Sequence, residues 1–286
     1  MTKEEIIKTI ERKIPQRLPV LYKWIAHETW AKYGDSLKNI THNYEDDFII
    51  VSYNAYSEEG VNEWGLKFES AAVGARTITH PLDDWNKLPE FLSKLSNIKV
   101  ENKFKDFIPL WVHGQLFEDH PFERLDLKKT VKAYQEKNKY IVGLQFPVVN
   151  ELFMQLMIPE KYWVDLHINP NKIIKLGDKF IEYYCKVIDN YAKLGIDGVW
   201  FSDDWGMQDR MQISPKIWRK IFKPWYRILF DQVHRYNMHA LLHTCGYIED
   251  IIPDFVELGL DVLHLGNPYL MDIEGKVNKF FSSLFK

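Results

Sequence analysis

A repeat constrains this chain more than any other feature. Residues 191–199 read YAKLGIDGV and residues 255–263 read FVELGLDVL. Each is the end of a helix, a glycine that closes it in a left-handed turn, then an aspartate and a buried strand. Gly195 and Gly259 stand 64 residues apart, the length of two βα units of about 30 residues each. Residues 236–243 (YNMHALLH) take the middle place, with Asn237 where the other two carry glycine. Asparagine is the next best residue for a left-handed helix cap. Strands alternating with helices at this spacing predict a parallel sheet, and short crossovers in series predict a barrel.

The remaining elements fit that reading. Strand candidates are residues 48–53 (FIIVSY), 108–112, 140–146, 198–202, 239–243 and 262–265, with a short apolar candidate at 20–25. Residues 3–12 read as a helix, 14–19 as a proline-punctuated turn, and 63–80 as a hairpin or elaborated loop. Between 172 and 194 the apolar positions 173, 176, 180, 184, 187, 188, 191 and 194 share one helix face. Ser214 and Pro215 form an N-cap and first helical position, and Pro224 must end or kink the helix they start. The expected architecture is α/β, a (β/α)8 TIM barrel, with residues 1–286 as one domain. An N-terminal elaboration would occupy about 1–105 and regular βα repeats about 106–286.

Composition removes other classes. A chain of 286 residues suffices for one barrel of about 250. With 46% hydrophobic residues and 10 Trp it is neither disordered nor dependent on a disulfide scaffold. Its 37 basic and 40 acidic residues leave a net charge of −3, against an electrostatic binder of nucleic acid. Two cysteines, Cys185 and Cys245, are too few for a disulfide framework or a four-cysteine zinc site, and fit a reducing cytoplasm. Residues 1–13 lack the apolar core of a signal peptide. The most apolar stretch, 140–159, is interrupted by Pro147, Asn150, Glu151 and Gln155. It reads as a buried strand plus loop rather than a membrane span.

In a parallel barrel the chemistry lies at the C-terminal strand ends. Asp203, Asp204 and Trp205 follow the strand at 198–202, with Gln208 in the next loop. His243 and Cys245 follow the strand at 239–242, His113 follows 108–112, and His27 and Glu28 follow 20–25. Residues two apart on an extended segment share a face. The imidazole of His243 and the thiolate of Cys245 would therefore suit one soft divalent ion, Zn²⁺ above all. Gly246 lets the chain turn away close to a ligand. The competing reading is a buried cysteine beside a hydrogen-bonded histidine, because catalytic zinc takes three protein ligands. Asp203 and Asp204 could act as an acid–base pair or hold a cation; alternatively one of them, Asp204, caps the next turn. Glu28 is a further carboxylate, and His113, Trp205, Gln208 and His27 are candidate substrate contacts. A lone histidine at a strand end is more often a structural residue. Cys185, beside an apolar helix face, reads as a core thiol.

The segment GIDGVWFSDDWGMQDRMQISPKIWRKIFKPWY followed by HALLHTCGYIEDIIPDFVELGLDVLHLGNP resembles the uroporphyrinogen decarboxylase superfamily. It is closer to the branch of cobalamin-dependent methyltransferases, and RLPV, HETW, NEWG and THPLDDW fit the same branch. The resemblance covers nearly the whole chain and implies a (β/α)8 barrel with its pocket at the strand ends. The true decarboxylases hold their substrate's acetates and propionates with an RQAGR motif and use no metal. KWIAHETW stands in that place here, so the arginines that would pair those carboxylates are missing. The methyltransferase branch holds Zn²⁺ with His-x-Cys and a later Cys, which implies His243 and Cys245 as ligands. Zinc there lowers the pKa of an acceptor thiol, whose thiolate takes a methyl group from a corrinoid protein. The third family ligand follows the strand near Val262, but no cysteine follows Cys245.

The family's last strand (QGN/GGID) and final helix are also missing, and about seven strands can be counted. A barrel one unit short exposes two edges. The expectation is a fragment of a longer protein, or a gap that another chain closes, with Phe280, Phe281, Leu284 and Phe285 in an unmatched tail. The leading function is zinc-dependent methyl or alkyl transfer from a corrinoid to a thiol. The alternatives are a metal-independent tetrapyrrole decarboxylase of porphyrin biosynthesis, with Asp203 on the pyrrole nitrogens, and a truncated non-catalytic barrel fragment. The expected partners are a small-molecule substrate, a corrinoid protein and a second copy in a homodimer, with neither nucleic acid nor membrane.

Overall fold

Each repeat unit closes through a left-handed residue, as its sequence predicts. In the computed structural model, which describes residues 1–21, 27–43, 46–53, 62, 64–70, 75–107, 125–145 and 148–271, Gly195, Asn237 and Gly259 have φ of 73°, 54° and 85°. Asn138, at φ 53°, does the same one unit earlier. The repeat's aspartates tie neighbouring strands together. Asp197 Oδ2 accepts the backbone N–H of Ile141 at 2.8 Å, and Asp261 Oδ2 accepts that of Ala240 at 2.8 Å.

Helices α1 (Lys3–Ile10) and α2 (His27–His42, broken at Gly34) precede strand β1 (Phe48–Ser52). An antiparallel hairpin of β2 (Phe68–Ser70) and β3 (Ala75–Thr77) follows, then helix α3 (Leu88–Ser96) and the short pair β4 (Asp106–Phe107) and β5 (Leu125–Asp126). The regular part runs α4 (Leu127–Glu136), β6 (Tyr140–Gln145), α5 (Asn150–Leu156), α6 (Pro159–Ile168), α7 (Pro170–Leu194) and β7 (Gly198–Ser202). It ends with α8 (Pro215–Ile221), α9 (Lys223–His234), β8 (His239–Thr244), α10 (Ile252–Glu257) and β9 (Val262–Leu265). Among the described residues one five-stranded parallel sheet forms, in the order β1-β6-β7-β8-β9. The strand candidate at 108–112, that at 20–25 from residue 22 on, and the tail from 272 lie outside the described residues.

Strand alternation sorts the side chains into two layers. Ile49, Val51, Ile141, Val199, Phe201, Ala240 and Leu242 face the helices in the large core. Ile50, Tyr140, Val142, Leu144, Trp200 and Leu241 face the other way, against Ile6 of α1. Burying a side chain such as Phe201 or Leu242 fully stabilises the fold by about 1.5–3 kcal/mol. On α7, Ile173, Leu176, Phe180, Tyr184, Val187, Ile188 and Tyr191 are buried as the periodicity predicts. The helix comes so close to β6 that a Cβ at Gly143 would lie 2.7 Å from the Tyr191 ring, so Gly143→Ala would push the two apart. Ser214 accepts from the Ile217 N–H at 3.4 Å, and Pro224 sits in the first turn of α9, separating it from α8.

One local expectation fails. The end of the 140–159 stretch is not a loop: residues 150–156 are helix α5. Its N-terminal cap comes from a carboxylate about 50 residues away, described below, and no local pattern reports it. Among the described residues, no helix is long and apolar enough to cross a membrane.

Candidate metal centre

Three strands carry the site in register. Ser202 of β7 pairs with His243 of β8, and His243 pairs with His264 of β9. Beyond the strand ends, the loops after β7 and β8 cross at two glycines. A Cβ on Gly206 would stand 2.3 Å from Gly246 C and Tyr247 N, and one on Gly246 would stand 2.3 Å from Gly206 C. Gly246 also has φ 79°. The crossing is fastened by the N–H groups of Gly206 to Cys245 O (3.0 Å) and Tyr247 to Met207 O (2.7 Å). The glycine needed at 246 for a close approach therefore approaches the backbone of Gly206.

This crossing brings Asp204, His243 and Cys245 together, each offering a ligand atom within 4.8 Å of the other two. His243 Nε2 lies 3.4 Å from Cys245 Sγ and 3.8 Å from Asp204 Oδ1. The Cys245 N–H donates to Asp204 Oδ1 at 2.7 Å. Burial, with the Asp204 carboxylate beside it, pushes the Cys245 thiol up to about 12. Burial holds His243 below its ordinary value, against the pull of Asp204. Both shifts favour the uncharged forms, a thiol at Cys245 and a neutral imidazole at His243. Donor atoms on a tetrahedral zinc with bonds of about 2.0–2.3 Å lie roughly 3.3–3.8 Å apart. The two separations at His243 Nε2 match that spacing, so Asp204, His243 and Cys245 have the donor types and spacing that zinc takes.

The adjacent carboxylate does something else. Asp203 is fully buried and accepts the N–H groups of Val149, Asn150 and Glu151 at 3.0–3.1 Å and the Tyr226 hydroxyl at 2.8 Å. It caps α5, whereas Asp204, expected to cap the next turn, accepts from the Cys245 N–H. Burial pushes the Asp203 carboxyl up to about 6 despite its four donors. Alternation explains the split: Asp204 follows Trp200 and Ser202 onto one face, and Asp203 follows Val199 and Phe201 onto the other.

Other side chains complete the picture. Asn150 donates from Nδ2 to Asp204 O at 2.6 Å, backing the site from α5. Glu151 has a buried Oε2 with no hydrogen-bond partner among the described residues. Burial and the nearby Asp203 and Asp204 push its carboxyl up to about 9. Gly266, just past β9, leaves room that a Cβ would fill 2.5 Å from Cys245 Sγ. Trp205, a candidate substrate contact, is fully buried and donates from Nε1 to the Tyr226 hydroxyl at 3.0 Å. Gln208 is exposed in the loop beyond Gly206. His27 and Glu28 open α2; their side chains, like the whole of His113, lie outside the described residues. Cys185 packs against the core, and burial pushes it up to about 11. Glu151, Gly266 and His264 were not anticipated from the sequence. The period-two pattern of β9 could have placed His264 beside His243, but Glu151 depends on the distant cap.

Parallel βα units with donor side chains gathered at the C-terminal strand ends define a protein of the α/β barrel kind. The chain belongs to the uroporphyrinogen decarboxylase (URO-D) family, whose model matches residues 127–280, from α4 through all of the metal cluster. Among solved structures it is similar to a methyltransferase from Methanosarcina mazei, with a TM-score of 0.56 and 15% identity over 92% of this chain and 75% of that one. At that identity the likeness is one of fold. A comparison with curated proteins gives no match.

Proposed function

We propose that this chain is a zinc-dependent transferase that moves a methyl or alkyl group from a corrinoid carried by a partner protein to a small thiol. The observation that carries the reading is the convergence of Asp204 Oδ1, His243 Nε2 and Cys245 Sγ within 4.8 Å. Three protein ligands and an open position are the pattern of catalytic zinc. Zinc bound there would lower the pKa of an incoming thiol and hold it as thiolate. The chain's own groups prepare that site. Asp204 orients through the Cys245 N–H and Asn150. Glu151 keeps its proton at neutral pH, so Asp203, Asp204 and Glu151, in and beside the cluster, carry less negative charge than three carboxyls suggest. The fold of the Methanosarcina methyltransferase supports the reading. A single domain over residues 1–286, a second copy as partner and a cytoplasmic location are part of the same proposal.

The decarboxylase alternative assigned Asp203 to the pyrrole nitrogens. That carboxylate is buried and committed to α5, so the geometry favours the transferase. The test is the zinc content of the purified protein beside a Cys245→Ala variant. About one zinc per chain, lost in the variant, is expected; equal and negligible metal in both would sink the proposal. Coproporphyrinogen formation from uroporphyrinogen by the metal-free protein would favour the decarboxylase instead.

A further inference from the structure

We propose that α6 is the pairing surface for a second copy of this chain: two α6 helices pack antiparallel across a two-fold axis that passes between Trp163 and Val164. The proposal rests on the second-copy part of the reading above and not on its zinc chemistry.

Helix α6 is apolar on two sides. Its inner side is buried, with Tyr162 and Leu166 in the core. Its exposed residues, Glu160, Trp163, Val164, His167 and Ile168, fall at the i, i+3, i+4, i+7 and i+8 positions of one stripe. On that stripe Trp163, Val164 and Ile168 are 40%, 53% and 68% exposed. A helix that is apolar all round is normally a buried one, and a contiguous exposed apolar patch marks an interaction site. A single chain covers one side of α6 and leaves the other in water.

The order of residues along the stripe selects the occupant. Glu160 stands at its N-terminal end and His167 towards its C-terminal end, with Trp163 and Val164 between them. A two-fold interface must be self-complementary, so that every contact occurs twice. Around the stated axis, Glu160 meets His167 of the partner subunit, and Trp163 meets Val164 of the partner subunit. An imidazole donates to a carboxylate in either protonation state. The antiparallel arrangement also sets the positive end of each helix dipole beside the negative end of the other. A parallel pair would set Glu160 against Glu160 and lose both gains. The helix is only about 15 Å long, and its stripe is small beside the roughly 800 Å² per partner of a standard interface. The pair is therefore weak and concentration-dependent. The inner side of the same helix reaches the candidate site: the Tyr162 hydroxyl donates to Asn150 Oδ1 at 2.8 Å, and Asn150 donates to Asp204 O. Covering α6 would steady that support.

Sedimentation velocity of the purified full chain should show monomer at low concentration and a growing dimer fraction as concentration rises. Val164→Asp, which places carboxylates beside the axis, and Trp163→Ala should each raise the dissociation constant at least about tenfold, because each substitution enters the interface twice. Glu160→Lys should weaken the pair, and adding His167→Glu should restore it, since the reversed charges meet again only in the antiparallel arrangement. Unfolding midpoints check that the variants fold; all four positions are exposed. A wild type that stays monomeric at its highest soluble concentration overturns the inference, and the second copy with it. A dimer untouched by Val164→Asp and Trp163→Ala keeps the second copy and overturns this surface. A double variant that pairs no better than Glu160→Lys overturns the antiparallel arrangement. Zinc content of the same samples tests the function separately: a dimer lost in Val164→Asp, in a protein that binds no zinc, upholds this surface and refutes the proposed function.

Discussion

The adjacent aspartates offer a test in which one substitution should cost stability and the other metal. Asp203→Ala would leave three backbone N–H groups and the Tyr226 hydroxyl without their acceptor. A hydrogen bond to a charged group contributes about 1.5–3 kcal/mol, but four that share one partner do not add. Ionising the buried carboxyl also costs about 3 kcal/mol at neutral pH, from its rise to about 6 from 3.8 at about 1.36 kcal/mol per unit. A net loss of about 3–5 kcal/mol follows for alanine, a large share of the total stability of a domain, about 5–15 kcal/mol. Asp203→Asn is the better probe. It keeps the shape, its oxygen still accepts from part of α5, and the expected loss is about 1–3 kcal/mol. Asp204→Asn should change stability by less than about 1 kcal/mol, since the amide can still accept from Cys245, but should weaken zinc binding at least about tenfold. Urea unfolding of zinc-free protein and zinc titration of folded protein would be run on both variants. Equal zinc loss in the two, or an Asp203→Asn midpoint equal to wild type, would refute the division of labour between them.

Gly206→Ala should lower zinc affinity although residue 206 supplies no donor atom to the cluster, and cost about 1–3 kcal/mol of stability, because its Cβ would stand 2.3 Å from the Gly246 backbone; calorimetry and zinc competition measure both. Gly266→Ala should weaken zinc binding with little change in unfolding midpoint, since its Cβ would meet Cys245 Sγ at 2.5 Å on an exposed turn. The zinc-free protein should lose stability as pH rises through the Glu151 range. That carboxyl keeps its proton in the folded chain up to about 9, whereas the unfolded chain loses it near 4.5. The loss should reach at most about 1.4 kcal/mol per pH unit. Measured between about pH 6.5 and 8.5, above the Asp203 range, the slope should flatten in Glu151→Gln; an identical slope in both proteins would count against a buried, protonated Glu151.

Much of the fold was legible because its signals are local. Left-handed caps at Gly195, Asn237 and Gly259 and the strands at 198–202 and 262–265 appear where the repeat puts them. Helix α5 was not legible, since its cap arrives from Asp203 across three elements. The site was half visible. Alternation joined His243 to Cys245, and the same rule applied to β7 would have separated Asp204 from Asp203. Gly206 and Gly266 could not be seen as site residues, because what makes each indispensable is the backbone or thiol of a different loop.

The crossing of Gly206 and Gly246 has a thermodynamic consequence. The two loops that carry Asp204 and Cys245 brace each other through their own backbone hydrogen bonds, so under the proposed function little chain entropy would be lost on binding a cation. Small zinc domains, by contrast, fold only when their ion is present. A chelator should therefore strip the metal here and leave a folded protein whose ligands wait at their working distances, ready to reload.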